Sequence, residues 1–443
     1  MIYLFLLFYT FRYFAQDSLN MFIFSDFGFI DGGSFEVSFY NSSSNSFFIA
    51  FLNARERIYF NNINRYLAFT ICQKPRAMYA RINYSIDIKN GGGTLKGYIP
   101  TKGVYYPFFL SCIEVSPRFE LSIKFMNGDS HLDYRVYCQF LALPTALIVS
   151  LIGFILSIYY QIVYKEARNN MIRLFNIVFS LNLLHLGSKL ITLYHSDISD
   201  ESSSFLVLYY IFSVLFATSF FVTLLLIANG YCIVKSVLSF GDILQISILS
   251  LLYMIFLIFN DLFSSSKIHP FLFLFYAIIL VIFCGVLVLS IQKVEFLISA
   301  HLCVIARAGI DPTTTPIYSR KVSYELFTHS VIVYFSLWIA FLALGIAEIA
   351  SNHFLYSCIQ VMNAIMICIY SYLFRVHQFE FNRYILIDEA EHILKDDVGN
   401  FQEAVFRQKS SLIPWEKGIM IPPPPVIDDY ENELPGLNLL PLQ

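Results

Sequence analysis

Charge is what this 443-residue sequence has least of: Lys, Arg, Asp and Glu together make up 14%, about half the share of a soluble chain. The net charge is −3, and the basic residues form no stripe, which argues against a nucleic-acid partner. Catalytic signatures are missing as well. There is no GxSxG elbow, no HExxH and no pair of intramembrane aspartates, so no enzyme activity and no catalytic residue is expected. Asn90-Gly-Gly-Gly93 lacks the GK[ST] ending of a phosphate loop. None of the eight cysteines lies in a CxxC or a His/Cys cluster with metal-ligand spacing, so neither a metal nor a cofactor is implied.

What fills the chain instead is apolar. The fraction is 57% and the mean hydropathy +0.62, against roughly 45–50% apolar for a soluble domain. Lipid must therefore serve as solvent for much of it. Residues 1–15 read MIYLFLLFYTFRYFA. The run Ile2–Tyr9 is shorter than the roughly 20 residues a bilayer needs, and it reads as a signal-peptide core cleaved near Ala15, the alternative being a short interfacial anchor.

Residues 16–139 differ in pattern. Phe35–Asn41, Tyr84–Lys89 and Phe119–Met126 alternate apolar and polar residues, the period of half-buried strands. Turn formers separate them at Asp31-Gly-Gly33, 41–45, Asn90–Gly93 and Asn127-Gly-Asp129, and Met126–Ser130 reads as a hairpin turn. A small antiparallel β domain is expected, with two sequons at Asn41 and Asn83 that would carry glycan if the domain is lumenal or extracellular.

Seven long apolar runs follow within 140–375: Phe140–Tyr164, Met171–Tyr194, Phe205–Val234, Ile243–Phe263, Pro270–Ile291, Ser330–Ala350 and His353–Phe374. Each is long enough to cross hydrocarbon as a helix. Lys165, Arg168, Arg173, Lys235, Lys293, Arg307, Arg320, Lys321 and Arg375 all fall on one side, which places that side in the cytosol. The β domain then lies outside and the tail, 376–443, inside. That tail is expected to be partly disordered, with the Pro422–Pro425 run an extended site for a cytosolic adaptor.

Polar residues within the spans carry the functional expectation, because a charge in hydrocarbon needs a protein partner or a water cavity. His185 and Lys189 are four apart and share a helix face. Asp261 and Glu348 lie near the outer ends of the fourth and sixth spans. These four either line an outward polar cavity for a lipid headgroup or ligand, or Asp261 and Glu348 reach interfacial water while Lys189 snorkels. Asn229 and Asn363 are expected to hydrogen-bond across helices.

Phe27–Val37, Tyr106–Cys112 with Glu120–Asn127, Thr223–Lys235 and Arg320–Phe327 stand in this order along the chain. Together these strings resemble the Golgi-dynamics-domain seven-helix superfamily, with Tyr231 at the usual Trp; that group includes the lung seven-transmembrane and intimal thickness-related receptor proteins and, more distantly, Wntless. The resemblance implies a disulfide between Cys72 and Cys112. It also implies residence in the Golgi or endosomal system and a part in trafficking or in handling lipid or secretory cargo.

The fold class expected is thus a membrane protein, a lumenal β domain ahead of an all-α seven-helix bundle. Three readings of function stand: a trafficking protein, an orphan G-protein-coupled-type receptor at the plasma membrane, and an ion channel. In the trafficking reading the tail would address a cytosolic sorting protein, and in the receptor reading the loop 293–327 would meet a cytosolic signalling protein. Glycosidase treatment of a tagged chain should shift its gel mobility, and Asn41→Gln with Asn83→Gln should abolish the shift. An unshifted wild-type chain would contradict the outward placement of the β domain.

Overall fold

The computed structural model describes residues 21–24, 26–40, 46–61, 81–87, 92–111, 120–163, 170–198, 205–234, 238–262, 269–346, 352–374, 392–393, 412–416, 419, 421–422 and 426–427. By contacts the chain divides into two compact units, one of residues 1–145, 186–209 and 344–358, the other of 146–185, 210–343 and 359–443. Each has its own apolar core.

The strands of the first unit are β1 (Met21–Ile23), β2 (Phe27–Phe29), β3 (Gly33–Tyr40), β4 (Ser46–Leu52), β5 (Ile82–Asp87), β6 (Gly93–Ile99), β7 (Gly103–Ser111) and β8 (Glu120–Met126). They form two antiparallel sheets: β6-β3-β8, and β1-β7-β4-β5 with β2 also on β7. The alternation in β3 turns Phe35, Val37 and Phe39 to one face, and all are buried. They meet Phe47, Ile49 and Phe51 of the other sheet in a single core. Ring contacts bridge the sheets, Phe35 to Phe51 and Phe39 to Phe47, each at 4.4 Å between centroids. This is a sandwich filled largely by phenylalanine, in which each buried ring contributes about 1.5–3 kcal/mol.

The expected strands are present as β3, β5 and β8. β4 and β7 escape the alternation rule because both of their faces are covered, with Phe47 to Leu52 buried throughout. A short helix, α1 (Ala54–Asn61), lies against β4 and β7. A reciprocal cap starts it: Asn53 Oδ1 accepts from the Glu56 amide and Glu56 Oε2 from the Asn53 amide, both at 2.9 Å. The Asn127–Ser130 turn forms, with Gly128 at φ +68. It does not return the chain as a strand, because β8 pairs with β3 and the backbone runs on into the first long helix.

That passage is pinned by polar side chains. Asn127, buried, accepts from the Ile30 amide at 2.9 Å and donates to the carbonyls of Gly28 (2.9 Å) and Leu132 (2.8 Å). Asp133 accepts from the Gly28 amide at 2.8 Å and forms an ion pair with Arg135, which also reaches Asp26 at 2.6 Å. A Cβ on Gly28 would meet Asp133 Oδ1 at 2.3 Å, so no side chain fits there. Ser130 Oγ donates to Asp197 Oδ1 and the His131 amide to the Asp197 carbonyl at 3.3 Å.

Seven helices long and apolar enough to cross a membrane follow: α2 (Tyr137–Val163), α3 (Asn170–Ile198), α4 (Phe205–Ala228), α5 (Phe240–Leu262), α6 (His269–Arg307), α7 (Pro316–Ile346) and α8 (Asn352–Leu373). All of the expected spans are there, with different ends. α4 stops at Ala228 because the Gly230 and Tyr231 amides bond back to Ile227 and Leu226, at 2.8 and 3.0 Å, closing the helix in a Schellman turn. α6 runs 16 residues past the expected Ile291, to Arg307, and α7 begins at Pro316. Most of what was expected as a 293–327 loop is therefore helix. At 39 and 31 residues, α6 and α7 are both longer than the roughly 20 residues a hydrocarbon core requires.

In the second unit, aromatic rings from α4 to α8 interlock. Phe221 meets Tyr253 at 4.3 Å and Phe283 at 4.6 Å, and Phe220 meets Tyr334 at 5.8 Å. Carboxamides and hydroxyls pair between α2 and α3: Asn182 with Ser150 at 2.8 Å, Ser157 with Asn176 at 2.6 Å and Asn176 with Gln161 at 2.9 Å. Asn363 accepts from Tyr334 Oη at 2.9 Å, the cross-helix bond expected of it. Asn229 instead donates with both its backbone amide and its side-chain nitrogen to the Leu225 carbonyl one turn back, each at 2.9 Å.

Asn127→Leu would leave the Ile30 amide and two carbonyls without partners, at about 1–3 kcal/mol for each buried group. Amide exchange across β2, β3 and β8 in the full chain should quicken by at least tenfold. Unchanged exchange would show that the turn is not the pin.

Candidate functional site

The first unit brings together the C-terminal part of α3 and the N-terminal turns of α2, α4 and α8. α3 contributes Lys189, α4 Tyr209, and α8 His353, Tyr356 and Ser357. Gln139 and Cys138 come from the first turn of α2. The Lys189 ammonium sits 4.5 Å from the centroid of the Tyr209 ring and 5.7 Å from that of Tyr356. The Tyr209 hydroxyl donates to that of Tyr356 at 3.3 Å, which ties the two walls together. Among the described residues no carboxylate pairs with Lys189.

Beside it, the Gln139 amide nitrogen lies 3.4 Å from His353 Nδ1. Gln139 is only 3% exposed, and its Oε1 has no hydrogen-bond partner among the described residues. Cys138 Sγ donates to the Arg135 carbonyl at 3.2 Å and lies 3.5 Å from Ser357 Oγ. Lys189, Asp133, Arg135 and Asp26 are all within electrostatic reach of His353. The cluster thus offers a cation flanked by π faces and a buried acceptor that wants a donor.

The magnitudes matter here. A cation over aromatic faces gains about 0.5–2 kcal/mol, while desolvating an ammonium costs several kcal/mol. Two rings therefore do not offset the burial of Lys189. An anionic group beside the ammonium would.

Of the four expected cavity residues, two have described side chains. Lys189 lies in the cluster. His185 belongs to the second unit, 1% exposed, with Nε2 3.3 Å from Gln360 Oε1 and its ring stacked on Phe216 at 5.6 Å. It is a packed core histidine. Asp261 is in the last turn of α5 with its side chain outside the described residues, and Glu348 lies outside them altogether. Cys72, Cys112 and Asn41 are also outside them. Asn83 is half-buried on the edge strand β5.

The residues missed by sequence reasoning are Gln139, Tyr209, His353 and Tyr356. Their only signal was polarity in the opening turn of an apolar run.

Other places carry less. An open groove of about 500 Å³ in the second unit is lined by Phe154, Ile158, Gln161, Asn176, Ile177 and neighbours, but its two carboxamides bond each other. The described cysteines are free thiols. Burial pushes the Cys232 thiol, in the turn after α4, up, the wrong direction for a nucleophile. No cluster of three metal-ligating side chains occurs among the described residues. Comparison with protein-family models gave no match, nor did comparison with curated proteins.

Tyr209→Phe keeps the ring and should leave thermal stability within about 1 kcal/mol, whereas Tyr209→Leu removes the π face and should cost about 0.5–2 kcal/mol more. Equal loss in both would assign the contribution to the hydroxyl.

Proposed function

We propose that this chain is a seven-span membrane protein of the secretory pathway that assists trafficking by binding lipid or lipid-linked cargo at the Lys189 cluster. On this reading it is a member of the Golgi-dynamics-domain group, with the sandwich lumenal and the tail cytosolic. Seven apolar helices support the membrane assignment. The observation that carries the ligand assignment is Lys189 itself, a cation held between two tyrosine rings with no described carboxylate. The ligand it fits has an acidic group for the ammonium and a donor for Gln139 Oε1, the chemistry of a phosphorylated or amino-acid headgroup.

The receptor reading keeps one specific support. α6, 39 residues long, and α7, 31 residues long, are each longer than a bilayer crossing of about 20 residues requires, and their excess would give a cytosolic partner a rigid surface. Imaging a tagged chain separates the two readings: steady Golgi or endosomal residence fits trafficking, and plasma-membrane residence fits a receptor.

Dihexanoyl phosphatidylserine should raise the thermal midpoint of the purified wild-type chain, while Lys189→Met should show no shift and Lys189→Arg a partial one. Equal protection of wild type and Lys189→Met would remove the cluster as the binding site.

A further inference from the structure

The far end of the described chain is not a free tail. α6 ends in a turn at Gly309, whose φ of +81 suits glycine and whose amide bonds back to Ala306 at 3.0 Å. That turn frees the Gly309 carbonyl, and Ile413 donates to it at 2.9 Å. A short strand, β9 (Ile310–Asp311), then pairs in parallel with β10 (Ile413–Pro414), Ile413 opposite Ile310 and Pro414 opposite Asp311. The Trp415 amide donates to Thr314 Oγ1 at 2.8 Å, while the same hydroxyl donates to the Asp311 carbonyl, also at 2.8 Å.

Beyond Trp415 the contacts turn apolar. Its indole nitrogen donates to the Ile419 carbonyl at 2.9 Å, and the Ile419 amide to the Glu416 carbonyl at 3.0 Å. Ile421 is 8% exposed and belongs to the core of the second unit, with Trp415 and Ile419 packed against it. His301 Nε2, from α6, donates to the Pro422 carbonyl at 2.9 Å.

We infer that the junction of α6, β9 and α7 is a peptide-receiving cleft held shut by the chain's own segment 412–422, which withholds it from a protein partner presenting the same extended Ile-Pro-Trp chemistry. Every element of a strand-addition site is there: a strand edge, a side-chain acceptor one step beyond it, an apolar pocket for one isoleucine and a donor for the closing carbonyl. The occupant is named by the contacts themselves. A two-residue parallel pairing is marginal alone, so the hold depends on tethering, which gives a linked segment an effective concentration on the order of millimolar. A partner of micromolar affinity could then compete. This inference concerns a different surface from the Lys189 cluster and stands or falls apart from it.

The test uses full-length protein in detergent and a fluorescent synthetic peptide of residues 409–423. The chain with Trp415→Ala and Ile421→Ser should bind the peptide saturably and at least tenfold more tightly than wild type. A peptide carrying the same two changes should not compete. A second release route, which leaves the cleft's own residues unchanged, is a protease site inserted after Gln408. Cleavage followed by washing should open the cleft to the peptide without touching its contacts. Equal binding by closed and released chains, or no binding by the cleaved chain, would overturn the inference and leave segment 412–422 as a fixed seam of the fold.

Discussion

Hydrocarbon supplies no hydrogen-bond partner, and this constraint orders most of the molecule. A backbone that enters it must satisfy every amide and carbonyl within its own segment, which only a helix does for a single stretch of chain. The helices α2 to α8 meet that demand along their lengths. Their outward faces carry residues such as Ile152, Ile155, Val281 and Leu289, the last two 71% and 68% exposed, a surface that water would penalise. The same constraint explains the polar side chains of the second unit, whose carboxamides and hydroxyls meet one another in pairs. It also explains the end of α4, where Tyr324 Oη donates to the Ala228 carbonyl at 2.6 Å and fills an acceptor the helix leaves over; in the turn that follows, Arg320 donates to the Ile233 carbonyl at 3.2 Å.

The sandwich obeys the opposite rule: its core is oily and its connections are polar. Asn127, Asp133, Arg135 and Asp197 join strand, turn and helix ends through directional bonds that fix the path from β8 into α2. The Lys189 cluster lies in the same unit, and pairing is left incomplete there, as it also is at Asn182 Oδ1 and Thr218 Oγ1 of the other unit. A cation without a described counter-charge and a buried amide oxygen without a described donor are costs that a fold built for stability alone would avoid. They become intelligible if a ligand completes them.

Much of the architecture was legible because it rests on long, uniform patterns. Each of the seven spans exceeds any other explanation for its length, and β3, β5 and β8 show their alternation directly. β4 and β7 were hidden because covering both faces removes the alternation. α1 announced itself in Asn53 and Glu56 three residues apart, a signal easily lost among strands. The ends of α4 and α6 could not be placed by hydropathy, since a turn at Gly230 and a helix running beyond Ile291 are decided by hydrogen bonding. At the site, Lys189 stood out as a charge in an apolar run. Its partners Tyr209, Tyr356, His353 and Gln139 come from three other helices and share no local pattern. The tail's return to β9 is a contact between residues about a hundred positions apart, for which two-residue strands leave no periodic trace.

The proposed orientation, with an outward sandwich, an odd number of crossings and a cytosolic tail, predicts that Tyr98 and Ile413 are reached from opposite sides of a bilayer. Sealed vesicles carrying a chain whose own cysteines are replaced, with a single cysteine at exposed Tyr98 or at exposed Ile413, can be treated with a membrane-impermeant thiol reagent. Labelling of one position from outside, and of the other only after the membrane is opened, is the predicted result. Labelling of both from the same side of intact vesicles would contradict it.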